Sequence, residues 1–207
     1  MAIRLQEMHP ALVHLPIALL PLAVGADVIG SVAANRSALS LGQKAICIAA
    51  AGAVASAATG LIAGEEVNVE GASQDMLITH RNLNFIATVV ATGMALWRFN
   101  HRKPNATYLA VGAVGVGLLA YTAYLGGKLV YDVGVGVKPA KGVYRSDAPA
   151  LKSGQVGSFV KTAGTDLVHG VQHMAQEVAK GRLIPTLVAG LRKRPKASVP
   201  ARPGTPA

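Results

Sequence analysis

Four apolar runs restrict what this chain can fold into. They cover Ala11–Ala34, Ala45–Ala63, Leu83–Phe99 and Tyr108–Leu125, and each approaches the roughly 20 apolar residues that a helix needs to cross a bilayer. Lipid offers no partner for unpaired backbone groups, so a spanning run of this length must be helical. We therefore expect an all-α integral membrane four-helix bundle, made of two antiparallel hairpins. Pro16 and Pro21 are expected to kink or interrupt the first helix.

The composition supports this class of protein. Hydrophobic residues make up 51% of the chain and charged residues only 14%, a balance typical of a small polytopic membrane protein. The net charge is +10, but the excess of basic residues lies after residue 127. A basic C-terminal part is expected to meet solvent or a membrane surface, so we expect the lipid bilayer and no nucleic acid as a partner. The first apolar run is too long for the core of a cleavable signal peptide and is expected to remain in place.

The pattern after the fourth run divides the chain further. We expect a transmembrane domain at 1–127, a Gly-rich loop and linker at 128–157, an amphipathic helical segment at 158–190, and a disordered basic tail at 191–207. Apolar residues such as Val160, Leu167, Val171 and Val178 recur at helical spacing and predict a helix at the membrane interface. The Pro-rich basic composition of the tail is typical of disorder.

Small, charged and aromatic residues inside the runs give three further predictions. A stripe of small residues in the second run favours close helix packing, within the chain or in an oligomer; its members are Gly52, Ser56, Gly60 and Gly64. Asp27 is an intramembrane acidic residue, and a carboxylate there is costly without a partner. A pair with Lys44 or a role in proton relay would explain it. Trp97 and Arg98 are expected to anchor the third helix at the interface.

Polar residues collect at one end of the predicted bundle. Two hairpins bring the start of the first and third runs and the end of the second and fourth runs to this end, which we name the His end. It contains His9, His14, His80, Arg81, Asn82, Asn84, Glu65, Glu66, Tyr131 and Asp132. Neutral imidazole is a good ligand for haem iron or another transition metal. We therefore predict His14 and His80 as axial ligands of haem b or as metal ligands, with His9 nearby and Arg81 meeting a haem propionate.

Other functions remain open at this point. The histidines could instead cap helix ends and hydrogen-bond to loop carbonyls or to Glu65 and Glu66. The sequence therefore favours either a redox or electron-transfer subunit, or a non-catalytic scaffold on which another membrane or redox protein docks. Both predict a subunit or an electron carrier and no stand-alone enzyme, and the chain has no hydrolase, phosphate-loop or zinc-protease motif. A proton-coupled transporter that uses Asp27 is the weakest of the hypotheses.

The ordered motifs HPALVHLP, HRNLN and GGKLVYDVGVGV resemble the bacterial membrane proteins grouped as domain of unknown function 2231, over about residues 5–140. The resemblance implies a multi-pass four-helix domain in a bacterial inner membrane, with no assigned activity. Leu15 stands where that pattern has Phe, and Val133 stands where many members have His. The residues that match are His9, Pro10, His14, Pro16, His80, Gly126, Gly127, Leu129, Tyr131 and Gly134.

Overall fold

The described part of the chain is almost entirely helical. A computed structural model describes residues 3–135, 150–151 and 154–189, with side chains described for residues 8–135 and 154–188. The elements are β1 Ile3–Arg4, α1 Leu5–Leu12, α2 His14–Val32, α3 Arg36–Glu65, α4 Gly71–Asn100, α5 Ala106–Tyr131, β2 Ala150–Leu151, α6 Val156–Ala179 and α7 Pro185–Ala189. The two short strands pair antiparallel, which the all-α prediction missed. The predicted disordered tail at 191–207 lies outside the described residues.

Among the described residues, three helical stretches are long and apolar enough to cross a membrane. They are Met8–Val32, Arg36–Glu65 and Ala106–Tyr131, with 25, 30 and 26 residues. These stretches include most of the first predicted span, which continues to Ala34, and all of the second and fourth. The predicted third span lies in α4, which has 30 residues but is not in this set. Polar residues near both ends of its apolar part, Asn84 and Arg98, lower its mean hydropathy.

The four long helices pack in a closed arrangement. α2 contacts α3 and α5, and α4 contacts the same two helices. Their shared core contains small residues such as Ala23, Ala49 and Ala91 beside Leu20 and Ile46, all nearly inaccessible to solvent. Small side chains let helix backbones come close together, which increases their van der Waals contact. This contact matters in a bilayer, because the hydrophobic effect does not favour association between helices that are surrounded by lipid.

Local sequence determines where the first helices begin and end. Pro16 has no N–H to donate to the carbonyl of Leu12, and the helix is interrupted at Val13, between α1 and α2. Asn35 and Asn105 precede α3 and α5, and their side chains accept hydrogen bonds from backbone N–H groups of the first turns. These caps satisfy donors that a helix start would otherwise leave unpaired.

Two helices extend beyond the segments expected from the sequence. The fourth span continues as helix α5 to Tyr131, so residues 128–131 are helical and do not belong to a loop. Lys128 and Asp132 form an ion pair of 2.7 Å one turn apart at this helix end. α6 begins at Val156 and packs Phe159 and Ala163 against Ile62 of α3.

The small-residue stripe of α3 packs within the chain. A Cβ atom on Gly52 would lie 2.6 Å from Cβ of Leu15, and one on Gly60 would lie 2.8 Å from Cε1 of His9, whereas one on Gly64 would meet nothing within 4 Å. Ser56 is buried between them. Gly52 through Gly60 thus accommodate α1 and α2, and oligomerisation through the rest of the stripe stays a prediction.

Candidate functional site

Two imidazole rings meet at the His end. His9 comes from the last turn of α1 and His80 from the first half of α4. Their ring centroids are 6.4 Å apart, and the ring planes stand at 88° to each other. Both residues are partly buried. The two rings approach each other although their positions are far apart in the chain.

Each ring is anchored to a backbone carbonyl of a neighbouring helix. Nδ1 of His9 donates to the Ser56 carbonyl oxygen on α3 at 2.9 Å, and Nδ1 of His80 donates to the Thr122 carbonyl oxygen on α5 at 2.9 Å. A carbonyl can only accept, so Nδ1 of each ring carries a proton and Nε2 holds the lone pair of the neutral form. Metal-binding histidines are commonly oriented by a hydrogen bond of this kind.

A glycine lies beside each ring. Gly60 and Gly126 each come one turn after the residue whose carbonyl accepts the imidazole hydrogen bond. A Cβ atom on Gly126 would lie 2.9 Å from Cε1 of His80, as close as the corresponding contact of Gly60 with His9. Both rings therefore depend on a helix position that has no side chain.

The two hairpins repeat one arrangement. The spacing from Ser56 to Gly60 equals that from Thr122 to Gly126, and an asparagine cap starts the second helix of each hairpin. The first helix of each hairpin also contacts the second helix of the other: α2 contacts α5, and α4 contacts α3. The hairpins α2–α3 and α4–α5 thus share these features, although His9 precedes Ser56 by 47 residues and His80 precedes Thr122 by 42.

A buried ion pair occupies the corresponding positions at the opposite end. The spacing from His9 to Asp27 equals that from His80 to Arg98. Nη2 of Arg98 lies 2.9 Å from Oδ1 of Asp27, and neither side chain is exposed. Nη2 also donates to the carbonyl of Leu39 at 2.8 Å.

This ion pair corrects two predictions. Lys44 is exposed and is not the partner of Asp27, because Asp27 faces the bundle interior and Lys44 the outside. Arg98 is not an interfacial anchor, since its side chain is fully buried and its Nη1 donates to the carbonyl of His101 at 2.7 Å.

The predicted ligand pair of His14 and His80 is not brought together. His14 is the first residue of α2 and is exposed. It follows His9 by five residues, which places it about 140° further round a helix. Among the residues the structure describes, the imidazole that His80 meets is that of His9.

Asn84 holds the first half of α4 against α5. Its amide nitrogen donates to the carbonyl of His80 at 2.8 Å, and its amide oxygen accepts from the hydroxyl of Thr122 at 3.1 Å. Arg81 is only partly exposed, and its buried Nη2 has no hydrogen-bond partner within the described ranges. Asn82 is 2% exposed and donates to the carbonyl of Leu183 at 2.8 Å.

The remaining predicted site residues lie at other contacts. Glu65 pairs with His173 of α6 at 2.8 Å, a contact that the sequence analysis did not predict. Glu66 is fully buried at the end of α3. Tyr131 is 89% exposed, and Asp132 pairs with Lys128. Neither Tyr131 nor Asp132 belongs to the imidazole pair.

The segment α6–α7 is fixed to the His end by polar contacts. Arg182 lies 2.6 Å from Asp75 of α4 and 2.6 Å from Glu177 of α6. The backbone N–H of Thr186 donates to the hydroxyl of Thr79 at 3.1 Å. Partial burial alone would raise the pKa of Glu177, but the hydrogen bond from Lys180 and the charge of Arg182 outweigh it and lower that pKa.

The donor set of this site is small. Within residues 8–135 and 154–188, no group of three or more His, Cys, Asp or Glu side chains is placed to hold a metal ion. The site therefore offers the two Nε2 atoms of His9 and His80. A metal ion bound by these two atoms would need its remaining coordinating atoms from water, a macrocycle or a partner protein.

The apolar helices and the polar His end define a small helical membrane protein built from two hairpins. The chain belongs to the family described as "Predicted membrane protein (DUF2231)", whose model matches residues 6–139. α6 and α7 lie beyond the matched residues. Neither the curated proteins nor the solved structures contain a match to this chain.

Proposed function

We propose that α2, α3, α4 and α5 all cross the inner membrane of a bacterium, so that α4 supplies the fourth span. Support comes from its packing, because α4 contacts α3 on one side and α5 on the other. Its apolar part, Leu83–Phe99, carries one charge, that of Arg98, and this charge is paired with Asp27 inside the bundle. The inner-membrane assignment rests on the bacterial motifs named above.

The proposed function of the His end is to bind a transition-metal centre through Nε2 of His9 and His80, as part of an electron-transfer subunit. One observation carries this proposal: both imidazoles donate Nδ1–H to a backbone carbonyl at 2.9 Å. In this orientation Nε2 of both rings holds the lone pair that a ligand would use. The amide nitrogen of Asn84 lies 3.2 Å from Nε2 of His80, so a ligand at His80 would displace this contact.

Haem iron fits the two-ligand donor set better than a bare ion. Structural zinc takes four protein ligands, whereas haem iron needs only two axial ones. His9 and His80, whose ring centroids are 6.4 Å apart, would hold the iron, and the macrocycle would supply its remaining ligands. The unpartnered Nη2 of Arg81 would suit a propionate group.

The test compares metal and haem contents of purified variants. Wild type, His9→Ala, His80→Ala and the double variant are made in haem-replete cells, with His14→Ala and His101→Ala as controls whose rings lie outside the pair. Absorption spectra are recorded before and after dithionite, and metals are measured by mass spectrometry. We expect a Soret band that the double variant loses and both controls keep.

Other results separate the remaining hypotheses. A bound copper, iron or zinc ion without a Soret band, lost in the double variant, would identify the same site as a bare-ion site. A folded wild type with no more haem or metal than the double variant would refute the proposal. The scaffold hypothesis, with a partner docked on the His end, would then replace it.

A further inference from the structure

α6 has an exposed apolar stripe beside its packing face. The stripe consists of Val156, Val160, Val171 and Val178, which are 57%, 60%, 45% and 43% exposed. At 3.6 residues per turn these four positions fall within an arc of about 60°. They do not belong to the core between α6 and α3, which contains Ile62 and Ala163 with Phe159 and Leu167 packed against them. Leu167 lies on the packing side of the same arc.

The contacts of α6 show how it is oriented relative to α3. The contacts between α6 and α3 run from Ala163 to His173 on α6 and from Leu61 to Glu65 on α3. They cover roughly 15 Å along α6 but roughly 6 Å along α3. The two axes therefore cross steeply. Since α3 is a spanning helix, α6 lies across the end of the bundle and close to the membrane plane.

We propose that α6 is an interfacial helix whose valine stripe inserts into the bilayer surface beside the bundle. The spanning helices also expose large apolar side chains, and Ile48 and Val54 of α3 are half exposed in the same way as the stripe. Its opposite face is polar and exposed, with Lys161, Thr165 and Gln172. A polar face that carries lysine and an apolar face at headgroup depth are the two features of helices that lie in the interface.

Close contacts with the end of α3 hold α6 at the depth of the membrane surface. Gly170 lets α6 approach the backbone of Leu61, where a Cβ atom would lie 3.1 Å from the carbonyl oxygen. His173 then reaches Glu65, the last residue of α3. α6 is therefore docked where α3 leaves the membrane. The inference does not depend on metal binding by His9 and His80.

The experiment measures the surroundings of single nitroxide labels. In a full-length Cys47→Ala background, Val160→Cys and Val171→Cys report on the stripe, and Thr165→Cys and Gln172→Cys on the polar face of the same helix. The labelled proteins are reconstituted in vesicles of phosphatidylcholine and phosphatidylglycerol. Collision rates with molecular oxygen, which concentrates in lipid, and with a water-soluble nickel chelate are compared.

We expect a several-fold higher ratio of oxygen to nickel collisions at both stripe positions than at both polar positions. Equal ratios on the two faces would show that the stripe lies in water and would overturn the proposal. Stripe labels shielded from both reagents would also overturn it, since a protein surface, from a second copy or a partner, would then cover the valines. Circular dichroism of each labelled variant excludes unfolding as the cause of a changed ratio.

Discussion

Removing the charge of Arg98 is the sharpest test of how the bundle is held together. The Arg98→Met variant keeps a long apolar stem but leaves Asp27 buried without its cation. Neither partner is exposed, so solvent screening does not reduce the effect. Breaking a buried pair by removing one partner costs about 3–5 kcal/mol. Lys44 cannot neutralise the charge of Asp27, because the Lys44 side chain lies on the outside of the bundle.

A double variant separates the charge from the packing. In Asp27→Asn/Arg98→Met both charges are gone, and replacing a buried pair by uncharged groups is often neutral or stabilising. We therefore expect the double variant to recover most of the loss. The exposed Arg102, at the same end of the bundle, supplies the control Arg102→Met, for which we expect a change within about 0.5 kcal/mol.

The assay is reversible unfolding in mixed micelles with increasing sodium dodecyl sulfate, followed by far-ultraviolet circular dichroism. The free energies of unfolding of wild type, Asp27→Asn, Arg98→Met and the double variant give a coupling energy between Asp27 and Arg98. Strictly additive changes, or an Arg98→Met protein as stable as Arg102→Met, would refute the reasoning. Asp27 would then have to be neutral, or hydrated, in the folded protein.

Further predictions concern the glycines and the C-terminal segment. Gly60→Ala should lower the midpoint of thermal unfolding, because its Cβ would lie 2.8 Å from the His9 ring, whereas Gly64→Ala, with open space at its Cβ, should leave the midpoint unchanged or raise it. Gly126→Ala should lower the midpoint as Gly60→Ala does, because both glycines pack against an imidazole ring. A Gly126→Ala variant with an unchanged midpoint would contradict this equivalence. Arg182→Ala should increase hydrogen exchange in α6 and α7 by an amount equivalent to about 1 kcal/mol, since the ion pairs are partly exposed. Because the folded-state pKa of Glu177 is lowered, its stabilising contribution is complete above its unfolded pKa and is lost as pH falls through the folded value. Protection of α6 and α7 against exchange should therefore fall as the pH is lowered through this range, and protection that does not change with pH would disprove the link.

Hydropathy and spacing could predict the helices but not every partner. Apolar runs of this length exclude other structures in lipid, which is why the first, second and fourth spans were found. Lys44 was chosen for Asp27 because both lie near the same loop in sequence. Which side of a helix a residue occupies depends on small rotations and on Pro16, and these turn Asp27 toward α4.

The same limit explains the histidines. The sequence correctly groups His9 and His80 at one end, because the order of the spans alone determines this. It cannot tell whether His9 or His14 faces the bundle, since the helix is interrupted at Val13 between them. The glycines supply the missing signal: Gly60 and Gly126 mark the two helix positions against which a ring packs.

The two ends of the bundle hold different kinds of residue pair. At the His end, two residues of one type, His9 and His80, approach each other. At the other end, identical residues would oppose two carboxylates or two guanidinium groups inside the bundle, where like charges cannot be screened. Asp27 and Arg98 differ instead, so the structure combines two imidazoles at one end with a complementary pair of charges at the other.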